Sequence, residues 1–577
     1  MKLQSYALGE WYRSPGSGIL LHNAVNGEPV AEISSQGLDF KDMLEHARKV
    51  GGPALRRHTF HQRALMLKEL AKYLLERKEK MYALSAATGA TRSDSWVDIE
   101  GGITTLFIYS GKGRREMPNS HVYLDGAQEM ISRKGSFTAQ HIYTPIRGVA
   151  VHINAFNFPC WGMLEKMAPT LLAGVPLIVK PASQTAFLTE LMFRHIVESG
   201  ILPEGSVQLI CGSTGDLLNH LDFQDAVSFT GSAYTGLKLK KTPAIVDNAV
   251  RFFMEADSLN CSILGEDVQP GSPEFDLYVK EVTREMTTKA GQRCTCIRRA
   301  LVPDDRLEAV AEAMIRRLSS TPIGDPANEQ VRMGALAGLE QRKDVLSQVQ
   351  KLGQDNRFLF GENGEIDPID ADAESGAFMS PMLLHAADPW SSSAHDIEAF
   401  GPVSTLMPYG DTQEAIELAA RGRGSLAGSI ISNDPEVARQ LTLGTAAYHG
   451  RLMVLNADCA GESSGHGSVL PHLVHGGPGR AGGSEEMGGI RGVKHYMQRT
   501  AVQGSPDMLT AITGRWMTGA SRNTDTAHPF KKRFGELEIG DTVVTEKRSI
   551  TLEDVEAFAE LSGDKFYAHM DGCLLYT

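Results

Sequence analysis

Along residues 60–85, apolar side chains return at helical spacing: Leu65, Leu67, Leu70 and Leu74 alternate with Arg, Lys and Glu. That period predicts helix throughout the segment, with one face turned to a core. The texture changes from Gly148 onward. Residues 149–153, 176–180, 206–210 and 226–229 are short runs rich in β-branched and apolar residues. Helical stretches separate them, such as 185–199 with Leu188, Leu191, Met192 and Ile196 on one face. Repeated alternation of strand and helix predicts a parallel α/β sheet. A second α/β block follows over about 262–438, with helices predicted at 275–289 and 305–319. After Met497 the pattern thins, and 504–528, rich in Ser, Thr, Gly and Asn, reads as a linker. Order returns over 530–571. There a helix is predicted at 552–561, capped by Thr551 with Asp554 three residues on, and ended by Gly563.

Composition narrows the partners. The 577 residues carry 57 Lys and Arg against 70 Asp and Glu, a net charge of −13. This balance argues against a broad nucleic-acid or anionic-membrane surface, so neither is expected as a partner. With 42% hydrophobic and 22% charged residues, the chain has the make-up of a soluble globular protein of several domains. The most apolar stretch, 168–179, contains Pro169, Thr170, Gly174 and Pro176. It is far shorter than the ~20 residues that span a bilayer, and reads as buried core. The N-terminus lacks the basic-then-apolar order of a secretory signal. Seven cysteines without a CxxC pair fit reduced thiols in a cytoplasmic protein better than a disulfide framework.

The most informative segment is Gly291-Gln-Arg-Cys294-Thr-Cys296. A single cysteine is more often buried and inert than reactive. Here the company counts. Upstream lie Glu255, directly after the apolar run Phe252-Phe-Met, then Asn154-Ala-Phe-Asn157-Phe-Pro159, Lys180-Pro-Ala-Ser183 and Gly231-Ser232; downstream comes Glu398-Ala-Phe400-Gly401. In this order and spacing, over about residues 1–500, the set resembles the aldehyde dehydrogenase superfamily. The resemblance implies an α/β fold: a Rossmann-like cofactor domain over about 1–254, an α/β catalytic domain over about 255–470, and a β oligomerisation arm from about 120–143 and 471–504.

It also implies roles. Cys294 would attack the aldehyde carbon as a thiolate. Asn157 and the Cys294 backbone N–H would hold the resulting oxyanion. Glu255 would serve as general base, for the cysteine or for the water that hydrolyses a thioester. CoA-acylating relatives usually lack this acid, so a free carboxylic acid is the expected product. Gly231 and Ser232, opening a helix, offer free N–H groups to a pyrophosphate. Lys180 would reach the adenosine ribose, Glu398 the nicotinamide ribose, and Phe400 would pack near the ring. Ser183 stands where many relatives have a glutamate. A carboxylate repels a 2′-phosphate while a hydroxyl beside Lys180 donates to it, so NADP is expected to be preferred, with NAD possible.

Beyond the 505–528 linker, 529–577 resembles the start of a MaoC-like hydratase of hot-dog fold, with Asp564 and His569 as its acid–base pair. The stretch is shorter than the ~120 residues such a domain needs, so an incomplete domain with doubtful hydratase activity is expected. A dehydrogenase joined to such a hydratase implies a CoA-linked semialdehyde substrate from phenylacetate ring cleavage, the hydratase half acting as an oxepin-CoA hydrolase. A homo-oligomer is expected from the same resemblance. Dehydrogenation of an unrelated aldehyde, or a non-catalytic protein of this fold, stays open at this point. Joint retention of Cys294, Glu255 and Asn157 speaks against the last.

Other pattern matches carry less. Gly477-Pro-Gly479-Arg-Ala-Gly482 fits GxGxxG without a strand and helix around it. Gly461-Glu-Ser463-Ser-Gly465 fits a hydrolase elbow without the helix that should follow. His466, His472 and His475 lack a completing ligand in register, so they read as ordinary loop residues and no metal is expected.

Overall fold

The computed structural model describes residues 1–364, 366–483, 487–522, 532–542 and 549–563. Asp564 and His569, the hydratase pair read from sequence, lie outside them. Two compact units are present: Met1–Tyr123 with Tyr143–Arg499, and Leu124–Ile142 with the described residues from Thr500 onward.

The first unit contains two seven-stranded sheets. In the first, the order is Arg251–Glu255, Ala226–Thr230, Ala150–Ile153, Leu177–Lys180 and Val207–Leu209, then Ser5–Ala7 and Glu10–Tyr12. The first five strands run parallel, and the two N-terminal strands close the edge antiparallel. All five parallel strands begin or lie within the four runs read from sequence and the Phe252-Phe-Met run before Glu255. Their side chains divide between two cores as a two-residue period requires. Leu177 and Val179 join one cluster with Leu67, Leu70 and Leu106, while Ile178 joins another with Phe40, Leu44 and Val227. The inner strands are therefore buried on both faces, and polar residues within them, such as His152, Gln208 and Ser228, are buried with them.

The second sheet has the order Arg357–Phe360, Met382–His385, Val403–Tyr409, Arg299–Pro303, Cys261–Leu264, Ser425–Ile431 and His449–Leu455. It is parallel apart from its first, antiparallel strand. Here too Leu301 and Val302 face opposite cores.

Two expectations need correction. The helical pattern over 60–85 is two helices, Phe60–Leu75 and Lys78–Ser85. The break falls at Arg77, whose backbone is non-helical (φ −111°) and whose guanidinium donates to the Tyr73 carbonyl at 2.9 Å, satisfying an end that propensity alone would have continued. Within the stretch read as a linker, Pro506–Thr513 is a helix, capped by the Ser505 side chain and ended by Gly514 in the left-handed region. Its Ser-Pro start is a helix-opening signal that the Ser- and Gly-rich surroundings obscured. Leu552–Ser562 forms as expected, with Thr551 and Asp554 making a reciprocal capping box and Gly563 left-handed at the end. Strands Tyr123–Met130, Thr138–Pro145 and Met497–Gly504 form a separate three-stranded sheet. Among the described residues, no helix is long and apolar enough to cross a membrane.

Candidate active site

Parallel strands deliver their C-terminal residues to one edge of the first sheet, where α/β folds place their ligands. Glu255 ends one such strand and is paired in register with Thr230. Cys294 arrives from a loop that the chain forces into an unusual shape. Lys289 and Ala290 both adopt left-handed backbone (φ 53° and 50°), and Gly291 continues it at 68°. A Cβ on Gly291 would lie 2.1 Å from the Gly401 carbonyl oxygen, so only glycine fits. Such strain persists only where the surroundings over-determine it, and they do. Asp94 accepts from the Lys289 N–H at 2.9 Å, and the Gln292 side chain accepts from Ala337 N–H at 2.9 Å. Asn260 donates to the carbonyls of Cys294 (2.8 Å) and Cys296 (2.9 Å), while Thr295 donates to Gly467 at 2.9 Å.

The held thiol faces a cavity of about 360 Å³. Its walls include Trp96, Val97, Ile108, Trp161 and Leu470, and its polar residues include Asn157, Glu255, Cys294 and His475. Asn157 is buried and donates through Nδ2 to the Gln292 carbonyl at 3.0 Å. That bond fixes the amide plane beside the cysteine loop and leaves the second amide hydrogen for the cavity. Cys296 points away, donating to the Glu285 carbonyl at 3.0 Å in the core, so it is no redox partner.

His475 is the residue that sequence reasoning set aside as ordinary loop, and the structure corrects it. Its Nε2 lies 3.9 Å from Cys294 Sγ and 3.4 Å from Glu255 Oε1. The other two histidines of that run go elsewhere: His466 is buried against Ser429 Oγ at 2.8 Å, and His472 is exposed. What brings His475 in is the Gly477–Gly482 segment. Ala256 N–H bonds the Ala481 carbonyl at 3.0 Å, Gly477 N–H bonds the Gly482 carbonyl at 2.8 Å, and Arg480 pairs with Asp257. A Cβ on Gly482 would lie 2.1 Å from the Met254 carbonyl oxygen. The glycines of that GxGxxG match thus serve close backbone packing, Gly482 against the Glu255 strand and Gly477 and Gly479 against the Ser425 and Arg423 carbonyls, rather than cradling a phosphate. No hydrolase elbow forms at Ser463, where a coil follows.

Electrostatics sort the three groups. Burial pushes Glu255 up, but the His475 charge, then Lys166 and the Cys294 thiol, outweigh it and hold the carboxyl low, at about 2. Burial lowers His475, yet Glu255 beside it wins and raises it. Burial and the Glu255 charge push the Cys294 thiol well up. The carboxylate and the imidazole thus each favour the other's charged form, while the thiol beside them holds its proton more tightly. Behind it on helix Trp161–Ala173 sits another ion pair, Lys166 Nζ to Glu165 Oε1 at 3.2 Å, both buried, with Trp161 Nε1 donating to Glu165 at 2.6 Å. Sequence gave no signal for it, because Glu-Lys inside a helix is ordinarily surface.

Of the residues expected at a dinucleotide, Lys180, Ser183, Gly231 and Ser232 follow strands of the first sheet, and Glu398 and Phe400 precede strand Val403–Tyr409 of the second. Lys180 ends its strand, and burial lowers its ammonium. Ser183 opens the short turn Ser183–Thr185 and is half-buried. Gly231 follows strand Ala226–Thr230, and Ser232 caps helix Ala233–Lys240 with its hydroxyl accepting from Thr235 N–H. Phe400 meets Phe156 edge to face at 5.8 Å. Burial raises Glu398 to about 7 against the pull of Arg298, whose Nε is 3.9 Å from Oε1. Glu398 Oε1 is buried with no hydrogen-bond partner among the described residues. A buried acceptor left open beside an aromatic ring, together with a helix N-terminus at the sheet edge, fits a ribose and pyrophosphate.

Similarity to known proteins agrees. Residues 11–502 match the aldehyde dehydrogenase family. The 3,4-dehydroadipyl-CoA semialdehyde dehydrogenase of Aromatoleum evansii is 42% identical over 480 residues, 83% of this chain and 93% of its own. Protein MaoC of Klebsiella aerogenes is 54% identical over 241 residues, 41% of this chain and 70% of its own. A match of that length exceeds everything outside 11–502, so most of it falls within the family-matched region. In fold, the chain superposes on a betaine aldehyde dehydrogenase of Staphylococcus aureus in complex with NAD+, with a TM-score of 0.75 at 22% identity over 87% of this chain and 96% of that one.

Proposed function

Since this chain belongs to the aldehyde dehydrogenase family, we propose that it oxidises a CoA-linked semialdehyde to the carboxylic acid with NADP, in phenylacetate ring cleavage. The observation that carries the chemistry is the Cys294 thiol beside a carboxylate and an imidazole in a cavity at the sheet edge. The Glu255 carboxylate, held ionised, takes the thiol proton as Cys294 attacks the aldehyde carbon. Asn157 Nδ2 and the Cys294 N–H donate to the oxyanion of the thiohemiacetal. A nicotinamide, when bound, would supply the hydride acceptor for this oxidation, and Cys294 would carry the acyl group as a thioester. Glu255 then removes a proton from the water that hydrolyses it, and His475 beside it keeps the carboxylate oriented toward the sulfur.

Substrate and cofactor follow from chemistry around that core. The apolar walls suit an acyl chain, and the likeness to a CoA-semialdehyde dehydrogenase supports a CoA-linked one. The likeness to protein MaoC supports the branch in which a dehydrogenase is joined to a MaoC-like hydratase that opens an oxepin ring. Ser183 supports NADP, because it puts a donor rather than a carboxylate near the 2′-phosphate. Lys180, Gly231, Ser232, Glu398 and Phe400 would hold the dinucleotide. We assign residues 1–254 to cofactor binding, 255–470 to catalysis, and the three-stranded sheet to self-association.

Reduced-nicotinamide absorbance tests this, with a CoA-linked semialdehyde and NADP or NAD, in wild type and Cys294→Ala. Turnover in the wild type alone is expected. A wild type inert toward every aldehyde overturns the enzyme reading, and a strong NAD preference overturns the role of Ser183.

A further inference from the structure

We propose that Glu255, Cys294 and His475 form an inhibitory site for a zinc-class divalent cation, shutting the cavity reversibly. One ligand atom from each, Sγ, a carboxylate oxygen and a ring nitrogen, lies within 4.8 Å of the other two. A tetrahedral ion with bonds of ~2.3 Å to sulfur and ~2.0 Å to nitrogen and oxygen sets its donors ~3.3–3.6 Å apart. The observed edges are 3.9 Å for sulfur to nitrogen and 3.4 Å for nitrogen to oxygen. The third edge, sulfur to carboxylate oxygen, is within 4.8 Å, so binding draws the three side chains together.

A second observation points the same way. Glu255 Oε1 is buried and, among the described residues, makes no aligned hydrogen bond, His475 Nε2 lying 3.4 Å away. A buried acceptor in this state is an open coordination position. The donor set also selects the ion. One thiolate, one imidazole and one carboxylate suit Zn²⁺ and its analogue Co²⁺, not the all-oxygen preference of Mg²⁺ or Ca²⁺. Three protein ligands leave the fourth position to water from the cavity, the open form of a zinc site.

Binding is a simple exchange. The Cys294 S–H proton, and any proton on His475 Nε2, leave to solvent, metal–sulfur, metal–nitrogen and metal–oxygen bonds form, and no electrons change hands. The ion's charge is reduced to zero by the thiolate and carboxylate, which makes it tolerable in a buried place. Inhibition follows because the ion occupies both the sulfur that attacks the aldehyde and the carboxylate that accepts its proton. Inhibition rests on the roles proposed for Cys294 and Glu255, but binding does not.

The experiment titrates the intact, metal-stripped protein with Co²⁺ in the absence of aldehyde and nicotinamide, following thiolate-to-cobalt charge transfer and ligand-field bands. One Co²⁺ per chain with a thiolate band is expected, displaced by Zn²⁺. The band should vanish in Cys294→Ser and Cys294→Ala, and Co²⁺ affinity should fall at least ~10-fold in His475→Gln, with circular dichroism confirming that each variant is folded. In the assay, Zn²⁺ should abolish wild-type turnover and EDTA restore it. Absence of a thiolate band in the wild type, or cobalt binding unaltered in these variants, overturns the site. A wild type that shows the band but oxidises no aldehyde would refute the proposed function and leave the metal site standing.

Discussion

Two cysteines of this protein each face a histidine, and they illustrate what makes a thiol useful. Cys261 Sγ lies 3.3 Å from His449 Nε2 in the second sheet, closer than the 3.9 Å between Cys294 and His475. Burial opposes it, but the His449 charge lowers the Cys261 thiol, whereas burial and Glu255 raise Cys294. On acidity alone Cys261 is the better nucleophile. Yet it is 1% exposed, its strand packed between neighbours on both sides, while Cys294 opens onto a cavity. Cys294 also has what Cys261 lacks: a carboxylate, Glu255, and an amide, Asn157, lining the same cavity. In the proposed mechanism, access and a route for the proton therefore count for more than the resting ionisation of the thiol.

The largest expected effect separates the two cysteines directly. Cys294→Ala should lower kcat by ~10³-fold or more, since removal of a nucleophile leaves only residual binding and positioning. Cys261→Ala should keep kcat within a few-fold and instead lose about 1–2 kcal/mol of stability in urea denaturation, from the small void and the unpaired His449. If Cys261→Ala is the inactive variant, the comparison fails.

Next comes the oxyanion donor. Asn157→Ala should cost about 3 kcal/mol of transition-state stabilisation, read as a kcat loss of ~10²-fold or more with KM little changed. A loss confined to KM would make Asn157 a positioning residue for the cysteine loop instead.

Ser183→Glu probes the cofactor edge of the first sheet, remote from both thiols. The ratio of kcat/KM for NADP over NAD should fall ~10-fold or more, which is about 1.4 kcal/mol. An unchanged ratio would assign 2′-phosphate recognition to other residues.

The smallest effect uses a buried histidine with no cysteine beside it. Burial, with Lys166 adding to it, lowers His152 to about 3. Below its ordinary 6.5 the unfolded chain binds a proton that the folded one refuses, so stability falls as pH drops from 6.5 toward 3. Between pH 6 and pH 5 the wild type should lose about 1 kcal/mol more than His152→Gln in urea midpoints. Equal losses would mean that His152 is protonated in the folded state.

Much of this was legible along the chain because it rests on local rules. The strands of the first sheet were visible as apolar runs, since a strand buried on both faces has no polar side to interrupt it. The capping box at Thr551 and Asp554 was visible because its two partners are three residues apart. Cys294, Glu255 and Asn157 were recognisable as an ordered set, although no one of them carries its role in its identity. Less could be seen where a residue's role depends on a distant neighbour. The break at Arg77 depends on one guanidinium reaching one carbonyl, and the Glu165–Lys166 pair looked like an ordinary surface pair.

Along the chain, periodicity fixed a parallel α/β sheet and a second α/β block, and motif order marked Cys294, Glu255 and Asn157 as a set, because both are properties of neighbouring residues. The tertiary structure alone decided that His475, about 180 residues beyond Cys294 (|i−j| 181), joins that thiol and acid. The physical reason is a backbone contact: Gly482 allows that segment to lie against the Glu255 strand, while Gly477 and Gly479 let it pass the Ser425 and Arg423 carbonyls, and no local pattern announces where a glycine loop will dock.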